Sequence, residues 1–215
     1  AASVAVGTVT GTTCSLSGAS PTVLATVPAS RTSITVNSTP EYQWKAKLSL
    51  PSSGTYCYRP SLGTLDLLGT AASPSFRTQV PLGQTAPWSF AVLGDWGEVD
   101  ASGANAAQAA VMDQIASGDT RFAVTTGDNG YPAGSQGNLG DLQQVGANTS
   151  GVFGPAFWAR VGATIPVFPI IGNHGMFRND AVHPHFASFP QDTAVATSGG
   201  RYQIDTYPSV NGTTA

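Results

Sequence analysis

The chain has 215 residues and a net charge of -3, with 10% charged residues against 41% apolar ones. Its only lysines are Lys45 and Lys47 and its only glutamates Glu41 and Glu98. No basic surface can neutralise a run of phosphates, which argues against nucleic-acid binding as a main role. So few charges beside that apolar content argue for a packed fold rather than disorder. No apolar run approaches the roughly 18 residues that a membrane span requires.

Residues 1–80 read as all-β. Segments 3–10, 22–27 and 32–36 are rich in Val and Thr and are separated by Gly, Pro, Ser and Asn. The clearest predicted strand is 42–50, where Trp44, Ala46, Leu48 and Leu50 alternate with Lys45, Lys47 and Ser49. That period of two predicts one buried face. A turn over 51–54 leads to a further strand from Thr55 to Arg59. Cys14 and Cys57 are the whole thiol inventory. They can form one disulfide, which suits an exported protein, or remain two buried thiols.

Residues 81–87, rich in Pro and Gly, read as a linker, and the pattern changes over 88–215. An apolar strand is predicted at 89–93. A helix follows over 104–116, with Ser102 as N-cap, Ala107, Val111 and Ile115 on one stripe, and Gly118 as terminator. A second strand covers 121–126, a helix 153–161, and a third strand 165–171, interrupted by Pro166 and Pro169. Strands alternating with helices imply a parallel sheet with right-handed crossovers.

Each of these strands runs into a polar turn: Gly94-Asp95-Trp96-Gly97, Gly127-Asp128-Asn129-Gly130-Tyr131, and Gly172-Asn173-His174-Gly175. The carboxyl ends of parallel strands form a ligand crevice. Asp95, Asp128, Tyr131, Asn173 and His174 are therefore expected at one edge. Carboxylate, phenolate and amide oxygens in one place suit hard cations.

The order GD-x-G, GD-x-x-Y, GNH resembles the calcineurin-like metallophosphoesterases, and the tyrosine resembles their purple acid phosphatase branch. Residues 40–80 resemble the fibronectin type III-like N-terminal sandwich that larger members carry. The resemblance implies a β-sandwich followed by the βαβαβ half of a four-layer α/β/β/α sandwich. It implies Cys14 and Cys57 on facing sheets, joined by a disulfide. Asp95 and Tyr131 would bind ferric iron, Asp128 would bridge two metals, and Asn173 would bind a divalent iron, zinc or manganese. His174 would serve the phosphoryl group as proton donor or stabiliser. Trp96, His183 and His185 are candidates for the substrate pocket.

The implied activity is hydrolysis of phosphate monoesters or diesters through a metal-bound hydroxide, in a secreted or periplasmic protein. The alternatives are a phosphodiesterase for a small head-group or nucleotide diester, and a non-catalytic binding module. Gly175 stands where the family usually has an acidic residue. The family's later histidines have no counterpart among His174, His183 and His185. A separate C-terminal polypeptide is therefore expected to complete the domain and supply at least three metal-binding histidines. The segment 200–205 resembles the strand that opens that second half.

Overall fold

The computed structural model describes residues 1–36, 39–51, 53–97, 106–132, 134, 136–139, 152–170 and 172–175. His183, His185, Ser102 and the segment 200–205 lie outside the described residues, as does the chain beyond Gly175.

The first part is built on β1 (Ala2–Thr10), which turns through Gly11 into β2 (Thr13–Cys14) and pairs further down with β3 (Ala25–Pro28). Next come β4 (Ser30–Val36) and β5 (Thr39–Lys45), an antiparallel hairpin separate from that sheet. The chain returns as β6 (Thr55–Leu62), which lies along the other edge of β1 and then pairs with β7 (Leu65–Asp66) and β8 (Ser75–Arg77). The result is a six-stranded antiparallel sheet faced by a two-stranded one.

Two expectations change here. The strand foreseen over 42–50 stops at Lys45, and Trp44, Ala46 and Leu48 are exposed. The pairing ends at Lys45 before the alternation does, and Trp44 and Ala46 border an open pocket with Val4, Pro60 and Leu62 of the larger sheet. The guanidinium of Arg31 instead stacks over Tyr42, 4.3 Å from the ring centre. The disulfide between Cys14 and Cys57 is present, but both strands belong to one sheet rather than to facing sheets. Gly7 explains this. It lies directly opposite Cys57 on β1, and a Cβ there would overlap Ser15 and Leu16. The missing side chain leaves room for Ser15 and Leu16 directly after Cys14, which bonds the fully buried Cys57.

The second part has three parallel strands in spatial order β11–β10–β9. β9 (Ser89–Leu93) leads to α1 (Ala106–Ser117), and β10 (Thr120–Thr125) lies beside β9. Two short helices follow, α2 (Gln136–Leu139) and α3 (Pro155–Phe157), the latter running into a π turn, Trp158–Gly162. β11 (Val167–Phe168) completes the sheet. Only two residues of the strand foreseen over 165–171 remain in the ladder, because Pro166 and Pro169 have no N–H to donate. The helix foreseen over 153–161 forms over 155–162, with its second half wound as a π turn. The Ala163 N–H reaches back to the Trp158 carbonyl at 3.2 Å, and a Cβ at Gly162 would overlap the Phe157 ring.

α1 buries Gln108, Met112 and Ile115, while Val111 is exposed. The inward stripe is thus rotated by about one position from the predicted one, because the Gln108 amide donates to the Trp96 carbonyl. Met112, Ile115, Phe157, Val161 and Ile165 form the core against Ala91, Leu93 and Val167 of the sheet. The opposite face carries an aromatic row. Phe90 stacks on Phe122 at 5.1 Å, Trp88 adjoins both, and Phe168 meets Phe122 edge-on. Among the described residues this face has no layer above it: Phe90 is 49% exposed and Val92 57%.

The two parts are clamped together. Arg77 pairs with Asp119 and donates to the Thr120 carbonyl, and Arg121 donates to the Thr78 carbonyl at 3.0 Å. The Tyr58 hydroxyl donates to the Ala163 carbonyl at 2.9 Å, and its ring meets Trp158 edge-on. Burial pushes the Tyr58 phenol well above the ordinary tyrosine range. Among the described residues no helix is long and apolar enough to cross a membrane.

Two predictions concern this scaffold. A bridge across 43 positions is worth about 4 kcal/mol in the chain-entropy treatment. Titration of the unfolded, unreduced protein should find no free thiol, and Cys14→Ser with Cys57→Ser should lower the denaturant midpoint accordingly. Two reactive thiols in the unreduced chain would overturn the bridge.

Asp66 is held by the Arg59 guanidinium, which also grips the Gly69 and Ala71 carbonyls, and by the Leu68 N–H at 2.9 Å. The Arg59 hydrogen bond comes first in holding the Asp66 carboxyl below its ordinary value. A lowered folded value means stability that is present above the unfolded pKa, about 3.9, and lost as pH falls through the folded one. The urea midpoint should therefore drop further between pH 6 and pH 2 in wild type than in Asp66→Asn. Equal drops would show that this pair contributes nothing.

Candidate metal centre

Parallel pairing puts the carboxyl ends of β9, β10 and β11 on one edge, so the three Gly-flanked turns lie side by side. The ladder extends one bond into them, with the Thr126 N–H on the Leu93 carbonyl at 2.7 Å. The turns then meet backbone to backbone. A Cβ at Gly97 would overlap the carbonyl of Asn129, and one at Gly172 would overlap the backbone nitrogen and carboxylate of Asp128. Only glycine allows these approaches.

Asp95 and Asp128 both adopt the left-handed region, with φ of 51° and 50°. Asp and Asn tolerate that region better than most residues, yet it remains a strained choice. It turns the two carboxylates toward a common point. The Tyr131 hydroxyl donates to Asp95 Oδ1 at 2.7 Å and lies 3.3 Å from Asp128 Oδ2. The other oxygen of Asp128 accepts the His174 backbone N–H at 2.9 Å. Asp128 is 8% exposed and links the second turn to the third, whereas Asp95 sits in the open.

The His174 ring lies 4.3 Å from the Tyr131 ring, and its Nδ1 is 2.7 Å from the Pro132 carbonyl. A carbonyl can only accept, so Nδ1 carries the proton in that bond. Asn173 is exposed on the same turn, Asn173–Gly175. Asp95, Asp128, Tyr131, Asn173 and His174 therefore share one edge.

The oxygen set fits a hard cation. Two carboxylate oxygens and a phenol converge within hydrogen-bond range, held by a single phenolic proton. The Asp95 hydrogen bond, followed by burial and the Asp128 charge, raises the Tyr131 phenol well above its ordinary value. A metal ion there would replace that proton and satisfy three negative oxygens at once. Among the described residues there is no group of three or more His, Cys, Asp or Glu that could hold a metal. The donors present are two carboxylates, a phenol and an amide.

Trp96 and Asn129 play a part that the motif spacing did not suggest. The Trp96 ring packs on Phe153 and Phe157, and its indole N–H donates to Asn129 Oδ1 at 2.9 Å. The signal available in the sequence was an Asn between two proposed ligands on a turn flanked by glycines.

Gly172→Ala tests the backbone contact. The added methyl must push the third turn off Asp128, at about 1–3 kcal/mol of overpacking. A variant with unchanged thermal midpoint and an unchanged His174 amide resonance would contradict this packing.

No known family model matches this sequence, and no curated protein matches it either.

Proposed function

We propose that the chain carries part of a dinuclear metal centre that hydrolyses phosphate esters, resembling the purple acid phosphatase branch of the metallophosphoesterases. The observation that carries this reading is the convergence of Asp95, Asp128 and the Tyr131 hydroxyl at the carboxyl edge of a parallel sheet, with His174 alongside.

In this reading Asp95 and Tyr131 would hold ferric iron, Asn173 would hold a divalent iron, zinc or manganese, and Asp128 would serve both ions. Such a pair supplies charge that grips phosphoryl oxygens and acidifies a water. The protein's own residues then do the rest. The His174 N–H locks one oxygen of Asp128 and leaves the other toward Tyr131. Pro132 holds the Nδ1 proton of His174 through its carbonyl, so in the imidazolium form Nε2 is the nitrogen that can give its proton to a departing alkoxide, leaving the neutral Nδ1–H ring. That carbonyl does the orienting work that an acidic residue at position 175 would otherwise do.

Four protein ligands do not complete two metal sites. We infer that a further polypeptide, the C-terminal partner, supplies at least three histidines and covers the aromatic face of Phe90, Val92 and Phe122. The exposure of that face supports this inference. The disulfide supports a secreted or periplasmic location.

Metal analysis of the native protein, with a panel of phosphate monoesters and diesters from acidic to neutral pH, tests the reading. The expected result is two ions per molecule, turnover, and a second polypeptide on denaturing mass analysis. Asp128→Ala should lose both ions. His174→Ala should keep them and lower kcat by about 10²–10⁴. Tyr131→Phe should bleach the phenolate–iron absorption. A native protein with neither metal nor turnover would make this a binding module instead.

A further inference from the structure

The second turn contains a buried carboxamide that none of the ligand assignments uses. Asn129 is 4% exposed. Its Oδ1 accepts the Trp96 indole N–H at 2.9 Å, and its Nδ2 donates to the Ile170 carbonyl at 2.7 Å. The indole can only donate and the carbonyl can only accept, so the orientation of the amide is settled by its partners. One side chain on the second turn therefore grips the first turn and the approach to the third.

Both far ends of this bridge are anchored in the scaffold. The Trp96 carbonyl accepts from Gln108 of α1, and its ring packs against Phe153 and Phe157. The Ile170 N–H donates to the hydroxyl of Thr125, which is fully buried at the end of β10. Each anchor lies next to or near a proposed ligand. Trp96 follows Asp95, Asn129 follows Asp128, and Ile170 precedes the Asn173–His174 turn.

We propose that Asn129 is a positioning residue: its carboxamide ties the three turns together and sets the spacing of Asp95, Asp128 and Asn173. The proposal rests on the phosphoesterase reading for its consequence in metal binding, but the tie itself is a matter of geometry. An isosteric carboxylate cannot replace the amide, because it would face the Ile170 carbonyl with a second acceptor. A methyl group loses both bonds.

The test uses the native protein stripped of metal by chelation, with zinc alone as the probe. Asn129→Ala and Asn129→Asp should weaken zinc binding by about 10–100-fold, the usual effect of removing a residue that orients ligands. In the metal-free protein, exchange of the His174 amide, bonded to Asp128, should quicken by about tenfold while the amides of Met112 and Val161 in the core keep their rates. Trp96→Phe breaks one bond only and covers the case in which an Asn129 variant fails to fold.

Unchanged zinc affinity and unchanged His174 exchange would overturn the proposal. So would a rise in exchange that is equal at His174 and in the core, since that marks general stability rather than positioning. Wild-type protein that takes up no zinc would remove the phosphoesterase reading instead, and the exchange measurement would then decide the tie by itself.

Discussion

The candidate site depends on how closely three peptide turns can approach one another. Parallel strands end at one edge, but their loops normally stand apart by the width of their side chains. Here Gly97 and Gly172 remove that width where the first and third turns touch the second. The backbone of Asn129 and the carboxylate of Asp128 fill the space. Everything polar at the edge follows from that contact. The His174 N–H reaches Asp128, and Tyr131 reaches both Asp128 and Asp95. The left-handed backbone at Asp95 and Asp128 is the cost of aiming two carboxylates at one point, and it is held in place by the packed turns around it.

The sheet that carries these turns has two unlike faces. One packs small residues, Ala91, Ala123 and Val167, against Met112, Ile115, Phe157 and Val161. The other presents Phe90, Phe122 and Phe168 in a stacked row with Trp88. Among the described residues these rings form one apolar row, with Phe90 and Val92 exposed. Both faces meet at the edge that carries the three candidate turns.

The N-terminal sheet contributes in a different way. Its last strand, β8, is tied by Arg77 to the connection before β10, and β6 is tied by Tyr58 to the π turn before β11. These bonds grip the amino-terminal side of the parallel strands. At the carboxyl edge, where the candidate ligands lie, α2 packs against Gly130 of the second turn and also touches β4 of the first part. The disulfide joins β2 to β6 at Cys57, next to Tyr58 and opposite Ser75 of β8, so it braces the same strands that make these bonds.

How much of this was legible in the residues differs from feature to feature. The three Gly-Asp and Gly-Asn-His turns, each after an apolar run, were readable because a glycine-flanked polar turn is a local pattern. The alternation of strand and helix after Pro87 was readable for the same reason. Helix phase was not, since the rotation of α1 depends on Gln108 finding the Trp96 carbonyl, a contact between distant positions. The alternation over 42–50 misled because a period of two reports a capacity for burial, whereas the strand pairs only as far as Lys45. The disulfide pair was available from a count of two cysteines, but its place within one sheet depended on Gly7 leaving room for Ser15 and Leu16. The bond from Asn129 to Trp96 and Ile170 joins residues far apart in the chain, so it exists only once the strands lie parallel. Local chemistry is written in neighbouring residues, whereas phase, layering and cross-loop hydrogen bonds arise from which surfaces come together.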